Sequence, residues 1–260
     1  MKKTWLVVLC VVFTACLAPA ARWVKGNTHA HTNRSDGGEY PHRVARWYQD
    51  HGYQFLFITD HDMVTPTAAI DSDANDDFIL IPGEEISFSL ERRQVHVNSL
   101  NPRRPAEASP GATLAETLQN AVDAARAAGG LPQINHPFRR WSLSAADITG
   151  LRGVRLLEVL NMPRESNNFP AGGSGGTEGL WDELLTSGMV LFGVAADDSH
   201  DFHGEFLPGL AHPGRGWVVA RVNQLTADEV CAALEKGDFY ASTGIELADV
   251  ACDRKEYRVT

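Results

Sequence analysis

The sequence predicts an α/β fold in which a largely parallel sheet closes, or nearly closes, into a barrel. Short apolar segments alternate along the chain with amphipathic segments, which is typical of repeated strand–helix units. Seven such strands within about 200 residues suggest a barrel. The chain has 260 residues, of which 43% are hydrophobic and 22% charged, and this composition is that of an ordinary globular protein.

The seven strands are predicted where short runs are rich in β-branched, aromatic and other apolar side chains. They are residues 22–28, 53–59, 78–82, 95–100, 131–134, 156–160 and 190–196. Strands this apolar are typical of a parallel sheet that is covered on both faces.

Helices are predicted between these strands from their start and stop signals. Residues 41–51 begin with Pro41 and end at Gly52, and residues 113–128 carry an apolar stripe that ends at Gly129. A third helix is expected at 180–187. Beyond the seventh strand, residues 217–222 resemble a strand and residues 226–236 a helix.

The first 20 residues have the pattern of a secretory signal peptide: Lys2 and Lys3, an apolar run over 5–17, then Ala18-Pro19-Ala20. We expect export to the periplasm or the medium. The apolar run is shorter than the roughly 20 residues of a transmembrane helix, and no other stretch is long enough. Alternatively, Cys16 would be lipid-modified, since residues 13–16 loosely resemble a lipobox.

The barrel domain is predicted over residues 22–245. Residues 246–260 form a C-terminal β-like tail with no evident partner, which either packs on the barrel or belongs to a longer protein. Removal of the signal peptide leaves Cys231 and Cys252, whose pairing the sequence leaves open.

The formal net charge is −10, from 23 basic and 33 acidic residues, and no basic block is present. A nucleic acid polymer is therefore not expected as a partner. A small anionic substrate still fits an acidic protein when metal ions supply positive charge. The oligomeric state is left open.

Nine imidazole and carboxylate side chains lie at or near the ends of the predicted strands. They are His29, His31, Asp36, His61, Glu85, His96, His136, Asp198 and His200. The carboxyl ends of parallel barrel strands meet at one face, so we expect these side chains to converge. Imidazole and carboxylate without thiolate are the ligands that Zn, Mn and Fe accept, which predicts a metal centre.

These motifs resemble those of the PHP (polymerase and histidinol phosphatase) family. They are His29-Ala30-His31-Thr32, Ser35-Asp36-Gly37, Thr59-Asp60-His61-Asp62, Gly83-Glu84-Glu85-Ile86-Ser87, His96, His136-Pro137 and Asp198-Ser199-His200. The resemblance implies a distorted seven-stranded, TIM-like (β/α) barrel with two or three metal ions. The segment Gly26-Asn27-Thr28-His29-Ala30-His31 is similar to that of an exported branch of the family, which includes carbamate-ester hydrolases.

The resemblance also implies how the ligands are divided. His29, His31 and Asp198 would hold one ion, and His96 and His136 a second. A glutamate of Gly83-Glu84-Glu85 would bridge these two ions, and the family spacing favours Glu85. Asp36, His61 and His200 would hold a third.

Metal ions lower the pKa of bound water to about 7, so a metal-bridging hydroxide is the expected nucleophile. Asp198, His200 and His203 are the candidate catalytic residues, with His203 alternatively an ordinary surface histidine. Arg139 and Arg140 would bind phosphate through their forked guanidinium groups or, alternatively, form a solvated pair. Asn161, at the end of another strand, is expected to face the same open end of the barrel and to contact either the substrate or a metal ligand.

The leading hypothesis is a metal-dependent phosphoesterase that acts on a small phosphate monoester or diester. A second is a hydrolase of carbamate, carboxylic ester or amide bonds on the same metal cluster. A third, from another class, is a non-catalytic module that binds a metal or ligand.

Overall fold

The computed structural model describes residues 21–70, 77–203, 210–252 and 255–260. The predicted signal peptide, including Cys16, lies outside the described residues. Among the described residues, no helix combines the length and the apolar character needed to cross a membrane.

The described residues form eleven strands and five α-helices. The strands are β1 (Arg22–Asn27), β2 (Phe55–Ile58), β3 (Ile79–Leu90), β4 (Arg93–Leu100), β5 (Leu131–Ile134), β6 (Leu156–Asn161), β7 (Phe192–Ala196), β8 (Trp217–Val222), β9 (Phe239–Ser242), β10 (Val250–Cys252) and β11 (Tyr257–Val259). The helices are α1 (Pro41–Asp50), α2 (Leu114–Ala127), α3 (Ala145–Ile148), α4 (Gly176–Thr186) and α5 (Ala227–Lys236).

One mixed sheet forms a nearly closed barrel. Its strand order is β7-β6-β5-β4-β3-β2-β1-β8-β9, and β7 lies against β8 and β9. Beyond the ends of β1 and β7, an isolated parallel bridge joins Ala30 to Ser199 and draws the two strand ends together. The α/β barrel-like fold is thus confirmed.

The strand count and the strand directions differ from the prediction. The sheet has nine strands rather than seven, because β8 and β9 add to the free edge of β1. β4 runs antiparallel to both β3 and β5, so the sheet is not parallel throughout. The second half of β3 belongs to a hairpin with β4, which carries the Glu85 position inside a strand rather than after one.

The helices follow the capping and periodicity signals in the sequence. Thr113 caps α2, its hydroxyl accepting a hydrogen bond from Glu116 N at 3.1 Å. The apolar face of α2, including Leu118 and Val122, packs on a buried cluster that also contains Leu157 of β6. This packing fixes the positions of the central strands, from which several site residues project.

The C-terminal tail forms a small sheet of its own, which the sequence did not predict. β10 and β11 pair with each other as an antiparallel two-stranded sheet, with Val250 opposite Val259. Cys231 of α5 is a free thiol. Burial raises the pKa of Cys231 to about 12.

Candidate metal centre

His29 and His31 stand on an extended segment that continues β1. Ala30, between them, accepts a hydrogen bond from Thr59 N at 2.9 Å, and His31 N donates to the Ser199 carbonyl at 2.9 Å. Because side chains alternate along an extended chain, both imidazoles project to the same side. Their Nε2 atoms are 3.1 Å apart.

The Glu85 carboxylate lies between two sets of imidazoles. Its Oε1 is 3.0 Å from His96 Nδ1 and 3.1 Å from His136 Nε2. Its Oε2 faces three other rings at 3.1 to 3.4 Å, those of His29, His31 and His61. The two oxygens of the Glu85 carboxylate therefore contact different groups of imidazoles.

Glu84 and Glu85 face opposite sides of β3. Glu84 Oε2 accepts a hydrogen bond from Ala106 N at 2.8 Å. The side-chain alternation of a strand thus brings Glu85, and not Glu84, into the cluster.

Asp198 is the second residue after the end of β7 and follows Asp197. Its Oδ1 is 3.2 Å from His29 Nε2 and 3.1 Å from His31 Nε2. The backbone is left-handed at Asp198, with φ 48°, and φ is also positive at His136, at 23°. Such conformations are costly for residues other than glycine and concentrate at functional sites.

Asp36 forms the outer edge of the cluster. Its Oδ1 is 3.4 Å from His31 Nδ1 and 3.4 Å from His200 Nε2, and its Oδ2 is 3.5 Å from His61 Nε2. The Asp36 side chain is 53% exposed, whereas Glu85 and Asp198 are buried. The cluster therefore reaches from the barrel interior to solvent.

The structure brings all nine predicted ligands together. Eight of them form three overlapping sets, and within each set the ligand atoms lie within 4.8 Å of one another. The ninth, His136, contacts Glu85. The sets are His29, His31, Glu85 and Asp198; His31, Asp36, His61 and His200; and His61, Glu85 and His96. Compared with the expected division, His31 and His61 each belong to two sets.

The donor set fits divalent cations. Glu85 Oε2 and Asp198 Oδ1 are buried and have no hydrogen-bond partner, although buried carboxylate oxygens normally have one. Both oxygens face Nε2 of His29 and of His31, in the first set. A cation among these groups would satisfy the two oxygens and accept the imidazole lone pairs.

The pKa values of the two buried carboxyl groups are shifted strongly. Burial by itself raises the pKa of Glu85, but the nearby His29 and His96 lower it well below its usual range. Burial likewise raises the pKa of Asp198, and His29 and His31 outweigh this effect, leaving the pKa well below its usual range. These shifts favour the ionised form of both carboxyl groups.

The pKa values of four histidines in the cluster are raised, whereas that of His96 is lowered. Burial lowers the pKa of His29, but the charges of Asp198 and Glu158 raise it well above its ordinary value. Net upward pKa shifts also occur at His31, His61 and His200. The pKa of His96 is lowered, since burial there outweighs the attraction of Glu85.

The two predicted phosphate-binding arginines are placed differently. Arg139 Nη1 donates to Asp198 Oδ2 at 3.1 Å, and its side chain is 21% exposed. The Arg139 Nε is buried without a hydrogen-bond partner. Arg140 turns away and pairs with Glu165 at 2.6 Å, where both side chains are at least half exposed.

Asn161 and His203 also differ in their relation to the cluster. Asn161 is buried, and its Nδ2 lies 3.3 Å from Asp198 Oδ2. His203 is 71% exposed and forms an ion-pair contact with Glu39 rather than with a residue of the cluster.

Glu158 is a site residue that sequence reasoning missed. It lies in β6, is fully buried, and its Oε1 is 2.7 Å from His29 Nδ1. The signal was present in the sequence, because Glu158 is an acid within the apolar run Leu156-Leu157-Glu158-Val159-Leu160. Its partner is 129 positions away in the chain, so only the fold reveals the contact.

The sequence contains one Gly-x-Ser-x-Gly string, at residues 172–176. In serine hydrolases this string forms a sharp strand-to-helix turn that presents the nucleophile. Here Ser174 lies in a loop well past the end of β6, and its Oγ accepts a hydrogen bond from Gly176 N at 3.2 Å. The local structure is therefore not a nucleophile elbow.

Comparison by sequence finds no relative: no model of a known protein family matches the chain, and no curated protein does. Comparison by structure does find similar folds. A two-domain protein from Bacteroides vulgatus, containing a predicted PHP-like metal-dependent phosphoesterase, aligns at 17% identity with a TM-score of 0.52. The alignment covers 85% of this chain and 65% of that one, so this chain spans less than two thirds of its length.

Two further structures align less closely. A protein from Bifidobacterium adolescentis, assigned as a metal-dependent phosphoesterase, has 16% identity and a TM-score of 0.48, covering 72% of this chain and 92% of that one. An amidohydrolase from Chromobacterium violaceum, with bound sulfate and no metal, has 19% identity and a TM-score of 0.47, covering 72% and 93%. At such identities a likeness establishes the fold alone, and the fold of this chain is that of the Bacteroides vulgatus protein.

Proposed function

We propose that this chain is a metal-dependent hydrolase that cleaves a small phosphate monoester or diester. The observation that carries the proposal is the Glu85 carboxylate, which turns one oxygen toward His96 and His136 and the other toward His29 and His31. A carboxylate shared between two groups of imidazoles suits a pair of adjacent cations. The fold shared with a protein that contains a predicted PHP-like metal-dependent phosphoesterase supports the proposal.

The residues that would hold two or three divalent ions are the nine of the cluster. Zn, Mn and Fe each accept this combination of imidazole and carboxylate ligands. When bound, such ions supply Lewis acidity and lower the pKa of water to about 7. Asp198 and His200 serve in this scheme as ligands at the reacting centre, beside Asp36 on the solvent side.

Arg139 is the residue best suited to orient an anionic substrate. One N–H group of its guanidinium donates to Asp198, and the side chain is 21% exposed, so part of it reaches solvent. A guanidinium that is fixed by one carboxylate can still donate from its remaining N–H groups to phosphate oxygens. In a chain of net charge −10, this local positive charge would attract a phosphate ester to the mouth.

The second candidate function is hydrolysis of a carbamate, carboxylic ester or amide on the same cluster. The observation that favours it is that Arg140 pairs with Glu165 at the surface. Among the described residues, Arg139 is then the one arginine that contacts Asp198. A doubly charged phosphate would gain from two guanidinium groups, whereas an uncharged substrate needs neither.

The test is a substrate panel on protein reloaded with Zn, Mn or Fe. We expect turnover of phosphomonoesters or diesters, competitive inhibition by inorganic phosphate, and loss of turnover in Asp198→Asn. The control is Asp228→Asn, a surface carboxylate that accepts from Asn101. Turnover of aryl esters or carbamates only, without inhibition by phosphate, would select the second candidate. Metal or ligand binding with no turnover of any substrate would indicate a non-catalytic module.

We further propose that the protein is exported, on the pattern of its first 20 residues. Expression of the full chain in a bacterium, followed by fractionation and N-terminal sequencing, tests this. A mature chain in the periplasm or medium that begins at Ala21 supports cleavage after Ala20. A mature chain beginning at a lipidated Cys16 supports the lipoprotein alternative, and uncleaved cytoplasmic protein contradicts both.

A further inference from the structure

Glu158 is fully buried and accepts hydrogen bonds from four donors. Its Oε1 accepts from His29 Nδ1 at 2.7 Å and from Gln133 Nε2 at 3.0 Å. Its Oε2 accepts from His136 N at 2.8 Å and from Asn161 Nδ2 at 2.9 Å. Two bonds to each oxygen satisfy the acceptor capacity of a carboxylate, which fixes this side chain in place.

Three of these four bonds lead to candidate ligands, which lie at the ends of three different strands. His29 continues β1, His136 follows β5, and Asn161, at the end of β6, also lies 3.3 Å from Oδ2 of Asp198, which follows β7. Glu158 is therefore in contact, directly or through one amide, with three residues of the cluster. None of the three sets of candidate ligands described above includes Glu158 itself.

The contact with His29 determines which ring nitrogen is available. An ionised carboxylate is only an acceptor, so the Nδ1 atom of His29 must carry the proton in this bond. In the neutral ring the Nε2 lone pair is then free. That Nε2 lies 3.4 Å from Glu85 Oε2 and 3.2 Å from Asp198 Oδ1, where a cation would be held.

We infer that Glu158 is a positioning residue that fixes the tautomer and orientation of His29 and thereby sets the affinity of the centre for divalent cations. The inference rests on the proposed metal-dependent function. A carboxylate behind a ligating histidine also makes the ring more basic, and loss of such a partner typically weakens metal binding about 10- to 100-fold. The Glu158 carboxylate also accepts a hydrogen bond from the backbone N–H of His136. It thereby helps to position the His136 ring, whose Nε2 contacts Glu85 Oε1.

A Glu158→Gln substitution separates this role from simple filling of the core. Glutamine has nearly the same volume, but its amide has one acceptor oxygen where Glu158 has two. The Nε2 group of the glutamine would meet either the His136 N–H, as donor against donor, or His29 Nδ1, which would then have to accept. The second arrangement moves the His29 proton to Nε2 and blocks the atom that faces the cluster.

The matched control is Glu84→Gln, because Glu84 is also a buried glutamate but faces away from the cluster and bonds Ala106 N. Full-length wild type and both variants are stripped of metal, checked for folding by thermal unfolding, and titrated with Zn²⁺ against a fluorescent chelator. We expect Glu158→Gln to bind Zn²⁺ about 10- to 100-fold more weakly than wild type. Glu84→Gln should stay within about twofold.

The possible results separate the inference from the proposed function. Equal Zn²⁺ affinity in wild type and in folded Glu158→Gln would overturn the inference and leave the proposed function standing. A wild type that binds no Zn²⁺, Mn²⁺ or Fe²⁺ would overturn both. Equal weakening in Glu84→Gln would show that burying any amide has this effect, and would also overturn the inference.

A measurement on the wild type keeps the inference testable if Glu158→Gln does not fold. In Zn²⁺-loaded protein labelled with ¹⁵N-histidine, the ring of His29 is assigned by the loss of its signals in His29→Gln. We expect a slowly exchanging proton on Nδ1 and a Zn²⁺-shifted Nε2. A proton on Nε2, or Zn²⁺ on Nδ1, would contradict the role of Glu158.

Discussion

The guanidinium of Arg139 donates to Asp198 Oδ2 at 3.1 Å, while the other oxygen of the same carboxylate faces the imidazoles of His29 and His31. Asp198 thus joins a fixed positive side chain to the cluster. A substrate anion drawn to Arg139 would lie next to the groups proposed to hold cations.

Replacement of Arg139 should therefore weaken the use of an anionic substrate. We expect Arg139→Ala to lower kcat/KM for a phosphate ester about 10- to 100-fold, since a hydrogen bond to a charged group contributes about 1.5–3 kcal/mol. Steady-state kinetics on the metal-loaded enzyme measure this. Arg140→Ala should change kcat/KM less than about twofold, because a solvent-exposed pair such as Arg140–Glu165 contributes little. The reverse order of effects would place the anion at Arg140 instead.

Glu85→Gln tests whether one carboxylate serves two cations. Substitution removes the negative charge that faces both imidazole sets, and the amide nitrogen cannot act as a ligand oxygen. We expect the metal content, measured by plasma mass spectrometry after purification without chelator, to fall by at least one ion per chain. The Glu84→Gln protein should retain the wild-type content. Unchanged metal content in folded Glu85→Gln would contradict the bridging role.

Metal uptake should release protons. The pKa values of His29, His31, His61 and His200 are raised in the metal-free protein, so these rings hold protons at pH values where free histidine, with its pKa near 6.5, begins to lose them. A cation binds only the neutral ring, and each proton displaced weakens apparent binding as the pH falls.

Calorimetry in two buffers of different ionisation enthalpy measures this release. We expect net proton release per Zn²⁺ at pH 6.5, and an apparent affinity that declines steadily from pH 8 to pH 6. Binding with no net proton exchange, or binding that tightens as the pH falls, would contradict the protonated state of these rings.

The fold itself should depend on the packing of α2. Leu118 is fully buried in a cluster that contains Leu157 and Val122, so Leu118→Ala should lower the free energy of unfolding by about 2–5 kcal/mol. Chemical denaturation measures the change. Leu185 is 40% exposed, and Leu185→Ala should cost well under half as much. Equal losses in both variants would show that α2 does not pack as described.

The sequence predicts those elements of the fold whose signals are local. β5 and β8 occur where short apolar runs predict them, and α2 and α5 lie within the helical ranges 113–128 and 226–236 that the sequence predicts. The β3–β4 hairpin was missed for a physical reason. Its two turn residues, Glu91 and Arg92, have φ of 51° and 67°, and such turns normally contain asparagine or glycine.

The candidate site shows the same division. The nine candidate ligands could be proposed from the sequence because all but Asp36 follow or lie in an apolar run and because their motifs resemble those of a known family. The different directions of the Arg139 and Arg140 side chains could not be predicted from the sequence, because the backbone at Arg140 has a positive φ of 50°. The contact of Glu158 with His29 depends on two strands brought together by the closed sheet.

The most direct test of the central claim, that the cluster holds cations on which hydrolysis depends, is to strip and restore the metal in the wild-type protein. We expect two or three divalent ions per chain in protein purified without chelator. Hydrolysis of a phosphate ester should disappear after chelation and return when Zn, Mn or Fe is added back. Full activity in protein shown to be free of metal would contradict the claim.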